Sequence, residues 1–298
     1  AGKNITDGNQ NTFVGGSAGD SLQTGDQNVG VGYLALRNEL GGSYNTAIGR
    51  EALKTQQGAS HNTAVGRTAG MLISTGANNT IVGSASGDAM NTADSNTLVG
   101  YSSGGAITSG SNNTAIGATA LSSSETGVQN VAIGQGAASA YLGNYSVIIG
   151  QAAGSSAGGT AGSIVLVGQG AGLNKSAGNY SVGIGPSALY TCDAGNYNTA
   201  VGSAAGISIS SGAQNTLIGG LAGDSLTIAF YNVALGYSAL TNDIKGYGST
   251  AIGYGTLQSQ QFGSATTAYN TAVGYNAGAT VSSGIRNTLV GTNAGSGI

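Results

Sequence analysis

Apolar positions in this chain fall in short runs, each ended by a glycine and set apart by small and polar residues. Asn45-Thr46-Ala47-Ile48-Gly49 is typical. The closing glycines are Gly15, Gly32, Gly49, Gly66, Gly83, Gly100, Gly117, Gly134, Gly150, Gly168, Gly185, Gly202, Gly219, Gly236, Gly253, Gly274 and Gly291. Their spacing is 17, apart from one 16 and one 18 around Gly150 and one 21 before Gly274. A short fixed period means stacked coils, each contacting its neighbours. The pattern predicts an all-β, parallel β-solenoid (β-roll or β-helix) of about 17 coils. It reads as a single repeat rod over residues 1–298, about 80 Å long at ~4.8 Å per coil.

Numbering each coil from its closing glycine as zero, position −1 is Val, Ile or Leu and position −3 is Thr or Val in every coil. Residues two apart share one face of a strand, and this pair is expected to line the inside of the coil. The residue between them then faces outward, yet it is never polar. An apolar ladder there would aggregate if bare, so the pattern predicts that other copies of the chain cover it. A homotrimer is the natural closed form, with Phe13, Ile81, Leu98, Ile148, Leu166, Leu217 and Leu289 at the interface. A second layer from the same chain is the alternative. An isolated monomer is expected to be insoluble or unfolded.

A second regularity concerns core filling. Six coils carry Leu at +4 (Leu36, Leu53, Leu121, Leu189, Leu240, Leu257) and no large aliphatic at +7. Eight carry Gly at +4 and Leu22, Ile73, Met90, Ile107, Ile209, Leu226, Val281 or Ile298 at +7. Each coil therefore fills one cavity once, because voids and overpacking both cost stability, and two loop conformations are expected. The exceptions close at Gly134, Gly150 and Gly168. Position −4 is Asn in 13 of 17 coils, suiting a ladder of coil-to-coil hydrogen bonds. Ser146, Ile164 and Ser181 replace it near those exceptions, marking about 134–185 as irregular. The longer loop at about 258–269 holds the four-residue insertion, between Gln261 and Tyr269, and is expected to bulge at the surface.

Composition narrows the function. Charged residues are 6 %, against ~25 % in an ordinary soluble domain. With 8 Lys+Arg and a net charge of −3, the basic cluster that nucleic acid requires is missing. No apolar run is long enough to insert in a membrane. One cysteine, Cys192, rules out a disulfide framework. The first residues read as a partial repeat rather than a signal peptide, which fits a processed piece or a fragment.

Two segments, Gly19-Asp20-Ser21-Leu22 and Gly223-Asp224-Ser225-Leu226, spell a hydrolase signature. The repeat already explains them, as Gly at +4 and an aliphatic at +7. A serine nucleophile also needs a positioned base, and the one histidine, His61, lies far away in sequence. It is expected at the surface or between coils. Gly168-Gln169-Gly170-Ala171-Gly172 leads into no helical pattern with a phosphate-binding lysine. The 11 carboxylates are scattered. No enzyme, cofactor or metal site is expected. Tyrosines stand out instead, six just before the strand-opening position and five just after the closing glycine. Tyr231, Tyr237, Tyr254, Tyr269 and Tyr275 are the candidate binding residues, since a ring with a polar tip can stack on a sugar or anchor a protein. Capping of strand ends is the structural alternative.

The iterated Asn-Thr-Ala-Val/Ile-Gly-x-x-Ala unit resembles the 17-residue repeat tract of phage tail fibres. It is also similar, more loosely, to the YadA-like head of trimeric autotransporter adhesins, whose repeat is shorter. Asn45 to Gly49, Asn270 to Ala277 and Val233 to Leu240 carry the likeness. The resemblance implies a trimer, an extracellular place on a virion tail or bacterial surface, and a host glycan or protein receptor as partner. The expected function is a non-enzymatic attachment fibre, a phage tail-fibre shaft first and a bacterial adhesin head second. An ice-binding solenoid is a further alternative, opposed by the expectation that the regular Thr points inward. A fibre-borne polysaccharide depolymerase is another, and it would need clustered carboxylates.

Overall fold

A computed structural model describes residues 1–156, 159, 162–175 and 178–296. It is all-β among the described residues, without a helix, and its strands build a parallel β-solenoid. The chain divides into two compact units, Ala1–Tyr145 and Ser146–Ile298. The boundary lies within the irregular stretch, beside Ser146, which stands in for the strand-opening Asn. In each unit the strand of a coil is three residues long, as in Thr46–Ile48 and Thr216–Ile218. Successive strands pair in parallel and in register, so Ala64 lies beside Ile81 and Ile81 beside Leu98.

The local chemistry sets the turn. Position 0 has φ between 126 and 143, a region that side chains rarely adopt, which is why it is Gly throughout. Position +4 is left-handed in every coil, Gly or Leu alike: Gly19 has φ 60 and Leu36 φ 51. The turn is closed the same way in both classes, with Leu22 N donating to Gly19 O and Glu39 N to Leu36 O, each at 3.3 Å. The two expected loop conformations are therefore one backbone with two side-chain solutions.

The strand faces are the reverse of the sequence expectation. The strand middle is buried while its two neighbours are half-buried or exposed. Ile81, Leu98, Leu166 and Leu217 are wholly enclosed in their own coils and Ile148 nearly so; Phe13 and Leu289, in the first and last strands, are half-buried. These seven residues are core, not a surface awaiting other chains. The physical reason is volume. Each interior layer takes the strand middle, the small residue at +3 and one plug, and two β-branched side chains per rung would overfill it.

Size compensation within the coil agrees. All seven large strand middles occur in coils with Gly at +4, and all six coils with Leu at +4 have Gly or Ala in the strand middle. A side chain on Gly104 would collide with Leu98 and Ile107, and one on Gly223 with Leu217 and Leu226. Two of the three exceptional coils also obey the plug rule. Their +7 residues, Tyr141 and Lys175, are the largest fully buried side chains. The third, Ala157, and the plug Ile298 lie outside the described residues.

In the Leu class the +7 residue is Glu, Gln, Ser, Cys or Asp and still buried, and the Glu, Gln and Asp side chains tie down the corner. The Glu39 carboxylate accepts from the backbone N–H groups of Leu40, Gly41, Gly42 and Gly58 at 2.6–3.0 Å. Gln260 donates to Asp243 and Ser249, and Asn270 donates to Gln260. The Asn column is the ladder expected from sequence. In the first unit Asn45 donates to Ala59 O, and its own oxygen accepts from Asn62 N. The insertion is mostly exposed, as expected. It is anchored by buried Phe262 and by pairing of Thr266–Thr267 with Gly246–Tyr247.

Candidate attachment surface

With the strand middles inside, positions −3 and −1 face out. In the first unit −3 is Thr12, Val29, Thr46, Thr63, Thr80, Thr97, Thr114 and Val131, and −1 is Val or Ile in every coil. In the second unit −3 is Val at 147, 165, 182 and 233 and Thr at the other five coils, and −1 is again aliphatic throughout. Even mid-stack these side chains stay open, with Ile116 38 % and Leu235 43 % exposed. The result is an uncharged rank of aliphatic tips beside a rank rich in Thr, on a parallel ladder in each unit. Sequence reasoning missed this face because it took the wrong parity. The coupling of strand-middle size to position +4 was the signal that could have found it.

Aromatic columns flank the ladder. Tyr237, Tyr254 and Tyr275 follow the closing glycines of three successive coils and stack with centroids 5.7 and 5.3 Å apart. Tyr231 and Tyr269 lie at the opposite end of the strands, separated by the coil of Gly248. A side chain on Gly248 would strike the Tyr269 ring. The structure thus brings three of the five candidate tyrosines together and leaves two in another column. All five are at least half exposed. The faces of the stacked rings are largely spent on one another, so the column offers edges and hydroxyls rather than free faces for sugar rings. Tyr180 and Tyr197 stack likewise at 5.1 Å.

His61 is at the surface between coils, stacked on Tyr44 at 4.9 Å. The two hydrolase-like segments put Leu22 and Leu226 in the core, as the repeat dictates. Asp20 of the first lies 3.8 Å from the terminal amine. No group of three or more His, Cys, Asp or Glu side chains among the described residues could hold a metal ion. No described helix is long and apolar enough to cross a membrane. A cavity of about 250 Å³ is lined by Thr280, Val281, Ser282, Gly284, Asn287 and Leu289.

Buried ionisable groups predict an unusual pH response. Burial pushes the carboxyls of Asp224 and Asp243 up, against opposing hydrogen bonds from Thr241 and Gln260 respectively. Burial pushes Lys175 down, against the pull of Cys192 and Asp193. The raised acids hold protons more tightly when folded. Their contribution is complete below the unfolded value of 3.8 and is lost as pH rises through the native values. The lowered lysine is protonated more readily unfolded, so stability falls as pH drops from 10.5 toward its native value. The second unit is expected to be least stable near neutrality and to gain in both directions. In the first unit, burial pushes the Asp88 carboxyl up, so its contribution grows on acidification. Native-state hydrogen exchange followed separately in the two units, corrected for intrinsic rates, checks this. A stability maximum near neutrality in the second unit contradicts it.

No protein-family model, curated protein or solved structure matches the chain.

Proposed function

We propose that the chain is a non-enzymatic attachment fibre element, of the phage tail-fibre type first and the bacterial surface-adhesin type second, working outside the cell. Its outward ladder meets further copies of the chain, most simply in a homotrimer. The observation that carries this reading is the aliphatic rank at −1 within each unit. A continuous exposed apolar patch marks an interaction surface. Three-residue strands at ~4.8 Å per rung give each unit a face on the order of 400 Å², and a stable interface takes roughly 800 Å² per partner. Each unit's face supplies about half of that area. The exposed tyrosines and loops remain for contact with a host glycan or protein receptor.

Sedimentation equilibrium of the chain tests the reading. A trimer is the expected result, and Val82→Arg together with Ile116→Arg should weaken its association at least tenfold (about 1.4 kcal/mol) while the fold persists. A wild-type chain that sediments as a stable folded monomer would contradict it.

A second reading gains from the outward Thr rank. The sequence objection to an ice-binding face was that the regular Thr pointed inward, and in the structure it points out. The first unit, with Thr at six of its eight −3 positions, is the better candidate. Thermal hysteresis that disappears on replacing Thr63, Thr80 and Thr97 by Lys would support this reading. Its absence from the folded wild-type chain would remove it.

A further inference from the structure

We propose that Lys175 and Cys192 form a covalent nitrogen–oxygen–sulfur bridge on exposure to dioxygen, cross-linking two successive coils of the second unit. Both residues occupy the +7 column, one coil apart. The Lys175 amine lies 3.6 Å from the Cys192 sulfur and 3.5 Å from the carbonyl oxygen of Gly195. The sulfur also lies 3.6 Å from the Gly195 oxygen and 3.9 Å from the Asn198 amide nitrogen. Amine and thiol are thereby held side by side, at a separation that one oxygen atom spans after a small side-chain shift.

Core filling alone does not call for this pair. The coil that supplies Lys175 has Gly172 at +4, and the corresponding coils at Leu22, Ile73, Met90, Ile107, Ile209 and Leu226 fill the same cavity with an apolar side chain. A lysine there has to give up its hydration. Burial favours the neutral amine, the form with a lone pair available for bonding to oxygen. Lys175 and Cys192 are both fully enclosed. That shields the pair from bulky oxidants, and dioxygen, small and apolar, is the oxidant the bridge requires.

The balance is R–NH₂ + HS–R′ + O₂ → R–NH–O–S–R′ + H₂O. One N–H and the S–H bond break, and N–O and O–S bonds form. Nitrogen and sulfur each give up an electron pair, and the two pairs reduce dioxygen. One of its oxygen atoms stays in the bridge and the other leaves as water. A thiol reductant such as dithiothreitol returns the free amine and thiol.

The test uses the full chain, purified without reductant and divided between air and nitrogen. The aerated sample is expected to gain one oxygen and lose two hydrogens by intact mass. Its thiol should be blocked to iodoacetamide in denaturant, and a fragment should join Lys175 to Cys192. Dithiothreitol should reverse all three, and the nitrogen sample should show none. Cys192→Ser must abolish the mass change, and Lys175→Met gives the same answer if it folds. An aerated chain with unchanged mass and a fully reactive thiol overturns the proposal. So does an oxygen gain confined to Cys192 or to a methionine.

Discussion

Asn79→Ala is expected to destabilise the first unit by about 3 kcal/mol, whereas Asn79→Ser should cost about half as much. Asn79 is 1 % exposed and sits in the middle of the ladder. Its amide donates to Ala93 O at 2.9 Å and to Asn62 Oδ1 at 3.1 Å. Its own oxygen accepts from the backbone and side-chain nitrogens of Asn96, at 2.9 and 3.1 Å. Alanine leaves a buried carbonyl and a buried N–H without partners, each worth roughly 1–3 kcal/mol. Serine keeps one of these bonds. Ser146 accepts from Ile164 N at 3.2 Å, and Ser181 from Asn198 N at 3.3 Å. Hydrogen exchange in the coils around residue 79 should show the ordering wild type, Ser, Ala. Equal protection in all three would mean that the ladder contributes nothing.

Leu98→Ala should likewise cost about 3 kcal/mol, by loss of buried surface and by the cavity left behind. Leu98 is fully enclosed and reaches toward both Gly87 and Gly104. Those glycines have no side chain to close the gap, so little relaxation is available. The same substitution at an interface between chains would change assembly rather than fold. Under the present account Leu98→Ala lowers the unfolding free energy and leaves the association of the folded chain unchanged. Denaturant unfolding and sedimentation of the same variant separate the two effects.

Much of this fold can be read from the repeat. The glycine period places the strands, the in-register pairing follows from it, and the plug rule anticipates Leu22, Leu36 and their counterparts in the core. Tyr141 and Lys175 obey the plug rule as well, but a pattern of aliphatic residues does not reveal them, because a lysine stem or a phenol can occupy the same volume. The strand faces were misread for a physical reason. β-Branched residues are expected inside, but a three-residue strand gives parity no second turn of alternation to check against. The decisive information lay outside the strand, in the match between a large strand middle and Gly at +4. The candidate surface was lost with the face assignment, since its residues had been placed in the core. The tyrosines were rightly placed at the surface, but periodicity alone does not show that Tyr237, Tyr254 and Tyr275 stack on one another while Tyr231 and Tyr269 stand apart.

Thiol labelling at adjacent strand positions tests the inward strand middle most directly. In a Cys192→Ala background, Leu98→Cys and Val99→Cys would each carry a single thiol for reaction with a maleimide. The cysteine at position 98 is expected to stay unreactive until the chain unfolds, while the one at position 99 reacts in the folded chain on dilution. Rapid labelling at position 98 in the folded protein, with position 99 protected, would contradict it.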